Sequence, residues 1–406
     1  MSAYHPLTLE EATQIAREIP DLFHEQADLS AHEIGDGNLN LVFHISDAAS
    51  NKSIILKQAL PYAKVVGESW PLTLDRARIE SEALLLEHQL CPDLVPTVYR
   101  YDAELAMTIM EDLSDHTIMR KGLIEGNRYP LFAGHIAEFL ARTLFFTSDL
   151  GKNQQAKKEA VKQFINPELC KITEDLIFAD PYFDSETNNF NPAIRDAVEA
   201  LWADQPLKLE VAQLREKFLT SAQALLHGDL HTGSIFITEQ STKVIDPEFA
   251  YYGPMGFDIA AILSNLAMNY IGQAYWSKTS EARESYRDYL TETLREIWSA
   301  FDTNFRALWN EHTVDPLANT PGYQDLYMQR LLQDAIGFAG CKMIRRTIGL
   351  AHVADIDTIT DTAVKERAER LALAIGRTFI MEHRQAKTFD TFIDTLEQAI
   401  EGVHAS

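Results

Sequence analysis

The run His227-Gly228-Asp229-Leu230-His231-Thr232-Gly233-Ser234, followed by Asp246-Pro247-Glu248, sets Asp229, Asp246 and Glu248 on turns beside short apolar stretches. Phosphoryl transfer needs that combination: one acid to orient a hydroxyl nucleophile, and hard oxygen ligands for magnesium on nucleotide phosphates. An ordinary surface turn requires only Gly or Asp, so His, Gly and Asp crowded together point beyond a plain hairpin. His227 and His231 lie four apart, as zinc ligands on a helix do. A stretch containing Gly228 is a poor ligand-presenting helix, and both read as structural histidines.

The elements around these acids can be read from hydrophobic period. Ile235-Phe236-Ile237 and Lys243-Val244-Ile245 read as paired strands about the polar turn Glu239-Gln240-Ser241. Such a hairpin would bring Asp229 near Asp246, where two carboxylates repel unless a cation intervenes. Upstream, a helix is expected from about Leu9 to Ile19, then strand, glycine turn and strand from Ile34 to Ile45. Ser53 to Gln58 reads as an apolar strand carrying Lys57, and Leu74 to Leu90 as a helix through Ile79, Ala83, Leu86 and Leu90. Leu105 to Met110 is a further buried strand, ending at Glu111-Asp112-Leu113. Most of the remainder has helical character, including a helix opening near Asp258 and running through Ile259, Leu263 and Leu266.

In this order the motifs resemble the methylthioribose kinase family of the protein-kinase-like phosphotransferases, the group that includes aminoglycoside and choline kinases. The likeness runs from Ile34-Gly35-Asp36-Gly37-Asn38-Leu39-Asn40 to Met343-Ile344-Arg345-Arg346. It implies an α+β, two-lobed protein-kinase-like fold. Residues 1–114 would form a small β-rich nucleotide-binding lobe, and 115–406 a larger, mainly helical lobe for catalysis and substrate. It implies ATP and Mg2+ as cofactors, Asp229 as the catalytic acid or base, Asp246 as the main magnesium ligand and Glu248 as a second. Asp246, Pro247 and Glu248 would lie on the nucleotide side together with Gly35, Gly37 and Asn40, which stands where a third glycine is usual. Lys57 would neutralise phosphates and be held by a helix glutamate; Glu80, Glu82 and Glu87 are candidates, with Glu82 favoured by the resemblance.

The same likeness gives Glu111, Asp112 and Leu113 to the adenine, through backbone groups, and has Asp258 hydrogen-bond the catalytic-loop backbone. Arg345 and Arg346, the first favoured, would reach the substrate, 5-methylthioribose, beside Asp229, and His352 and Asp355 would complete that side. Val65 to Pro71 reads as a flap. One departure stands out: Ser234 occupies the place of a metal-binding Asn, a loss the extra carboxylate of Glu248 could offset.

Composition bounds the reading. A chain of 406 residues, 46% hydrophobic and 24% charged, can bury sizeable cores in two domains. The net charge of −24, with no long basic run, argues against nucleic acid or an anionic membrane as partner. Cys91, Cys170 and Cys341 have no metal-type spacing, and no basic, apolar leader opens the sequence, so a cytoplasmic setting is expected. Ile259 to Ile271 is too short to span a bilayer and is interrupted by Ser264, Asn265 and Asn269. The family resemblance adds a homodimer. Alternatives are a kinase of the same fold acting on an aminoglycoside, choline or homoserine, or an inactive nucleotide-binding module. The His-Arg-Asp and Asp-Phe-Gly motifs of protein kinases are absent.

Overall fold

The computed structural model describes residues 4–24, 26–35, 40–63 and 67–405. They divide into two compact units, Met1–His116 with Lys243–Ala250, and Thr117–Thr242 with Tyr251–Ser406. The short segment carrying Asp246 and Glu248 thus packs with the first unit, which differs from a contiguous division at 114. The first unit holds an antiparallel sheet and the second is mainly helical, an α+β fold.

The first unit is built around the strand Lys52–Ala59, paired antiparallel with Asn40–Asp47 on one side and Met107–Glu111 on the other. Leu29–Glu33 and Val98–Asp102 complete the five-stranded sheet at its edges. Side chains alternate between the faces of a strand. Ile54 and Leu56 therefore join Phe43, Ile45, Met107 and Ile109 in one apolar layer, closed by Ala12 and Ala16 of the helix Leu9–Arg17. Thr8 and Glu11 cap that helix reciprocally, satisfying amides that its first turn would leave unpaired. Lys57 falls on the opposite face, where the helix Asp75–Leu90 lies and where Ser81 and Thr108 hydroxyls bond at 2.5 Å.

Of the glycine turn, Gly35 ends the described backbone, while Gly37, Asp36, Asn38 and Leu39 lie outside the described residues. In the expected flap, Val65 and Val66 also lie outside them; Gly67–Pro71 forms a strand paired with Tyr62–Ala63.

The second unit surrounds the helix Gly256–Trp276, which is buried from Gly256 to Gln273. Phe257 from this helix meets Phe178, Phe218 and Phe338 in a cluster of tilted and edge-on rings. The polar residues that interrupt its apolar run are anchored inside: Asn269 Nδ2 donates to Asp355 Oδ1 at 2.8 Å, and Asn265 Oδ1 accepts from Thr232 and Arg120. Among the described residues no helix is long and apolar enough to cross a membrane. The short strands frame a loop: Ala224–Leu226 pairs with Tyr251–Gly253, and Ile235–Ile237 with Thr117–Ile118.

The helices Tyr323–Ile348 and Thr362–Glu382 cross at Gly340 and Gly376. A Cβ on Gly340 would lie 2.4 Å from the Gly376 carbonyl oxygen, so the backbones meet only because a side chain is missing. Gly340→Ala should part these helices and cost about 2 kcal/mol, the usual range for overpacking a filled core. Thermal unfolding should show a lowered midpoint; an unchanged midpoint would mean the crossing carries no such constraint.

Candidate active site

In the second unit, the loop after Ala224–Leu226 is held by its backbone. Asp258, near the start of the central helix, accepts the N–H of His227 at 2.7 Å and of Gly228 at 3.1 Å. These bonds satisfy a buried carboxylate and turn the chain sharply, so that Asp229 follows at a fixed place. His231 N–H returns to Asp229 O at 2.9 Å, and Ser234 N–H to His231 O at 2.8 Å. Ser234 Oγ lies 3.1 Å from both Asp229 O and His231 Nδ1, so this hydroxyl staples the loop. Thr232 O accepts the Arg120 N–H at 3.1 Å, securing the loop's far side.

Asp229 sits beside an imidazole and an arginine. Its Oδ1 is 3.8 Å from Arg346 Nη2 and its Oδ2 is 3.4 Å from His231 Nε2. The side chain stays 37% exposed, which leaves it reachable from solvent although the ring of neighbours is dense. Burial pushes its carboxyl up, but the His231 ring beside it and the cations Arg346, Lys342 and Arg345 outweigh that and hold it well below the usual carboxylate range. Burial, aided by Arg120 and Arg346, brings His231 down to about 3 against the pull of Asp229. The imidazole is therefore neutral near pH 7. Lys342, set 3.5 Å over the Phe257 ring, is lowered by burial to about 8 despite Asp229 and Asp258.

Arg346, not the favoured Arg345, comes nearest Asp229. One residue along a helix turns the side chain by about 100°, and Arg345 Nη1 instead bonds the Ala351 carbonyl at 3.1 Å. His352 pairs with Asp357 at 3.1 Å, away from Asp229 in its bonding, while the fully buried Asp355 has Arg120 Nε at 3.5 Å. Sequence reasoning missed Arg120 and Lys342, and treated His231 as merely structural. The signal for Lys342 was its place beside the arginine pair on an otherwise apolar helix; Arg120 had none.

In the first unit, a second charge cluster forms. Lys57 Nζ donates to Glu80 Oε1 at 2.8 Å and to Asp246 Oδ1 at still shorter range. Glu80 thereby replaces the favoured Glu82. Two residues along a helix reverse its facing, so Glu80 points inward, whereas Glu82 pairs with Arg78 at the surface. Glu248 is buried 3.4 Å from Arg76 Nε, and the Asn40 amide spans Arg76 and Glu248 at 2.8 and 3.4 Å. Asn40 thus helps to hold Glu248. Arg76 went unread in the sequence, though it lies one turn before Glu80 on the same inward face.

The electrostatics of this cluster are those of surplus acid. Burial first, then Asp246 and Glu248, raise Glu80 against Lys57; burial and Asp246 likewise raise Glu248. Burial opposes the Lys57 ammonium, but Asp246, Glu80 and Glu248 hold its pKa above the ordinary value. Oxygens of Glu80, Asp246 and Glu248 all lie within 4.8 Å of one another, a spacing that hard-oxygen coordination of magnesium can use after slight contraction. Asp246 itself adopts φ 70°, a left-handed conformation uncommon outside glycine and tolerated best by Asn and Asp. Pro247 is buried between the acids, its carbonyl accepting the Ala250 N–H at 3.0 Å.

At the strand end, side chains are engaged: Glu111 accepts the Thr97 N–H at 3.0 Å, and Asp112 accepts Ser53 and His44 at 2.6 and 3.0 Å. Leu113 is buried, and its carbonyl takes the His116 N–H at 2.9 Å.

Known proteins can be set beside this geometry. The model of a phosphotransferase enzyme family matches residues 30–300. A methylthioribose kinase of Geobacillus sp. strain WCH70 is 54% identical over 381 residues, covering 94% of this chain and 93% of that protein. One from Yersinia enterocolitica is 49% identical over 398 residues, covering 98% and 100%. The chain belongs to the methylthioribose kinase family. Among solved structures, a choline kinase of Cryptosporidium parvum aligns with a TM-score of 0.48 at 14% identity, over 97% of this chain and 96% of that one. A glucosamine kinase gives 0.47 at 14%, over 90% and 82%. As a small-molecule kinase, the enzyme takes ATP as its phosphate donor.

The kinase's charge pairs lead to two expectations. Glu80→Gln breaks a buried pair and should lower kcat/KM for ATP roughly tenfold or more, while Glu82→Gln, at a partly exposed i,i+4 pair worth about 0.5 kcal/mol, should leave it unchanged. Steady-state kinetics with both variants decide this, and equal effects would return Glu82 to the Lys57 pairing.

Lys342 sets a pH limb. A lysine lowered from 10.5 to about 8 loses its proton as pH rises through 8, removing one cation from Asp229. Turnover should fall above pH 8, and Lys342→Met should lack that limb. Stability moves oppositely: between pH 8 and 10.5 the unfolded chain binds the extra proton, so folding gains as pH rises.

Proposed function

We propose that the enzyme transfers the γ-phosphoryl group of ATP to the 1-hydroxyl of 5-methylthio-D-ribose, giving 5-methylthioribose 1-phosphate in methionine salvage. The observation that carries the reading is Asp229, ionised, with one oxygen facing His231 and the other facing Arg346. Such an acid accepts a hydrogen bond from the attacking hydroxyl and fixes its direction. Because its carboxyl is held low, it is a weak base, so the proton moves late, once the bond to phosphorus has lowered the hydroxyl's own affinity for it. Arg346, with Arg345 and Lys342, offsets the negative charge gathering on the transferred group; a guanidinium fork suits both sugar oxygens and phosphoryl oxygens.

In this reading residues 1–114 form the nucleotide-binding lobe, lent Asp246 and Glu248 by Lys243–Ala250, and the rest of 115–406 forms the catalytic and substrate-binding lobe. Lys57, oriented by Glu80, balances nucleotide phosphates, and Gly35, Gly37 and the Glu111–Leu113 backbone take up the remainder of ATP. Asp246 and Glu248 would hold magnesium, which when bound neutralises phosphate charge and aligns the phosphate oxygens. Arg76 and Asn40 keep Glu248 in place for that duty. A cytoplasmic homodimer, as the family resemblance implies, completes the reading.

The test is ADP release with ATP and magnesium, comparing 5-methylthioribose with ribose, choline and an aminoglycoside. Turnover confined to methylthioribose is expected; preference for another alcohol would overturn the substrate. Asp229→Asn should lose about a thousandfold in kcat, within the range for removing an acid–base group, while calorimetry shows ATP binding intact. Near-normal turnover of that variant would remove Asp229 from the chemistry.

A further inference from the structure

His231 Nδ1 lies 3.1 Å from the backbone N–H of Gly233 and 3.1 Å from Ser234 Oγ. A backbone amide can only donate, so the Gly233 hydrogen must meet a lone pair, and Nδ1 cannot carry the proton of a neutral ring. The proton therefore sits on Nε2, the nitrogen 3.4 Å from Asp229 Oδ2. The ring's seat is shaped to keep this orientation. A Cβ on Gly233 would come within 2.9 Å of His231 Cε1, 3.1 Å of Nδ1 and 2.8 Å of Arg120 Nη1. Only a residue without a side chain lets the loop amide approach the imidazole and leaves room for Arg120 behind it.

We infer that His231 is a positioning residue for phosphoryl transfer: locked by the Gly233 amide as the Nε2–H tautomer, it donates to Asp229 Oδ2 and so reserves Oδ1 for the acceptor hydroxyl. The inference rests on Asp229 being the acid of the proposed reaction. Asp229 has two oxygens, and a carboxylate free to rotate would offer either to a hydroxyl with no preferred direction. With Oδ2 engaged, Oδ1 is the oxygen that remains, on the side where Arg346 lies. In the resting enzyme the 3.4 Å contact is long and out of line for a hydrogen bond; on this scheme it closes when an acceptor hydroxyl draws the carboxylate into line. Burial supports the scheme, since it keeps the ring neutral and so keeps Nδ1 free for the loop. Ser234 gains a role as well. Its hydroxyl donates to the Asp229 carbonyl and lies against the imidazole, which gives a serine at this position a purpose of its own.

Two substitutions separate positioning from plain loop support. In His231→Asn the side-chain amide reaches only to where Nδ1 stood, so it can accept from Gly233 but cannot donate to Asp229. In His231→Gln the amide extends to the Nε2 position and can donate to Asp229, while the bond from Gly233 is lost. On the full-length enzyme with ATP, magnesium and methylthioribose, His231→Asn should keep KM and lose kcat roughly tenfold or more, as misplaced reacting groups do. His231→Gln should keep most of kcat. The reverse order would overturn the inference and leave His231 a loop anchor. Nitrogen-15 spectra of histidine-labelled resting enzyme read the tautomer without any substrate. An Nε2–H ring upholds the proposal and an Nδ1–H ring overturns it, whether or not the variants fold. Should wild-type enzyme fail to turn over methylthioribose, the substrate reading falls, and the spectrum still decides the tautomer.

Discussion

A buried charge must be answered by another, and in the first unit everything follows from how Lys57 is answered. Placing an ammonium on the inner face of a sheet costs several kcal/mol unless carboxylates surround it. Glu80 and Asp246 do so, Glu248 adds to them, and Arg76 and Asn40 are recruited in turn to hold Glu248. The helix Asp75–Leu90 is pinned by these polar contacts as firmly as by its apolar side: it contributes Arg76 and Glu80 one turn apart, and the small residues Ala77 and Ala83 let it lie close. Acids outnumber cations in the cluster, which leaves it ready to accept a further positive charge.

The second unit solves the converse problem. There one acid, Asp229, is set among Arg346, Lys342 and Arg345, all of which lose stability by burial and regain some of it from that acid. Positive charge in excess suits a place where negative charge is to arrive. The loop could not hold such an arrangement by itself. It depends on Asp258 gripping two backbone amides and on Asn265 linking Thr232 to Arg120, so the central helix serves as the frame of the chemistry as well as the centre of the core.

How much of this could be read beforehand depended on period and local chemistry. The strand Lys52–Ala59 was legible because alternation separates Ile54 and Leu56 from Lys57, and the helix Asp75–Leu90 because Ile79 and Ala83 mark one side. The acids of the His-Gly-Asp and Asp-Pro-Glu turns were legible because few other turns need them. What escaped was phase and distance. Glu80 and Glu82 differ only by which way a helix faces, and the periodic residues beside them do not settle it. Arg345 and Arg346 differ by one step of the same rotation. Arg120 lies more than a hundred positions from the loop it supports, and nothing local marks such a residue. The bond from Arg76 to Asn40 had no local mark either.

The left-handed backbone at Asp246 has a bearing on how this enzyme can be altered. At most positions the gentlest exchange for aspartate is glutamate, which keeps the charge. Here the larger side chain strains a conformation that asparagine and glycine accept with ease, since short or absent side chains suffer least in that region. The ranking of replacements is inverted: those that spare the architecture are the ones that abolish the carboxylate. A library sorted for well-folded protein would therefore be enriched at this position in chains that have lost the carboxylate, a selection that runs against the duty proposed for Asp246.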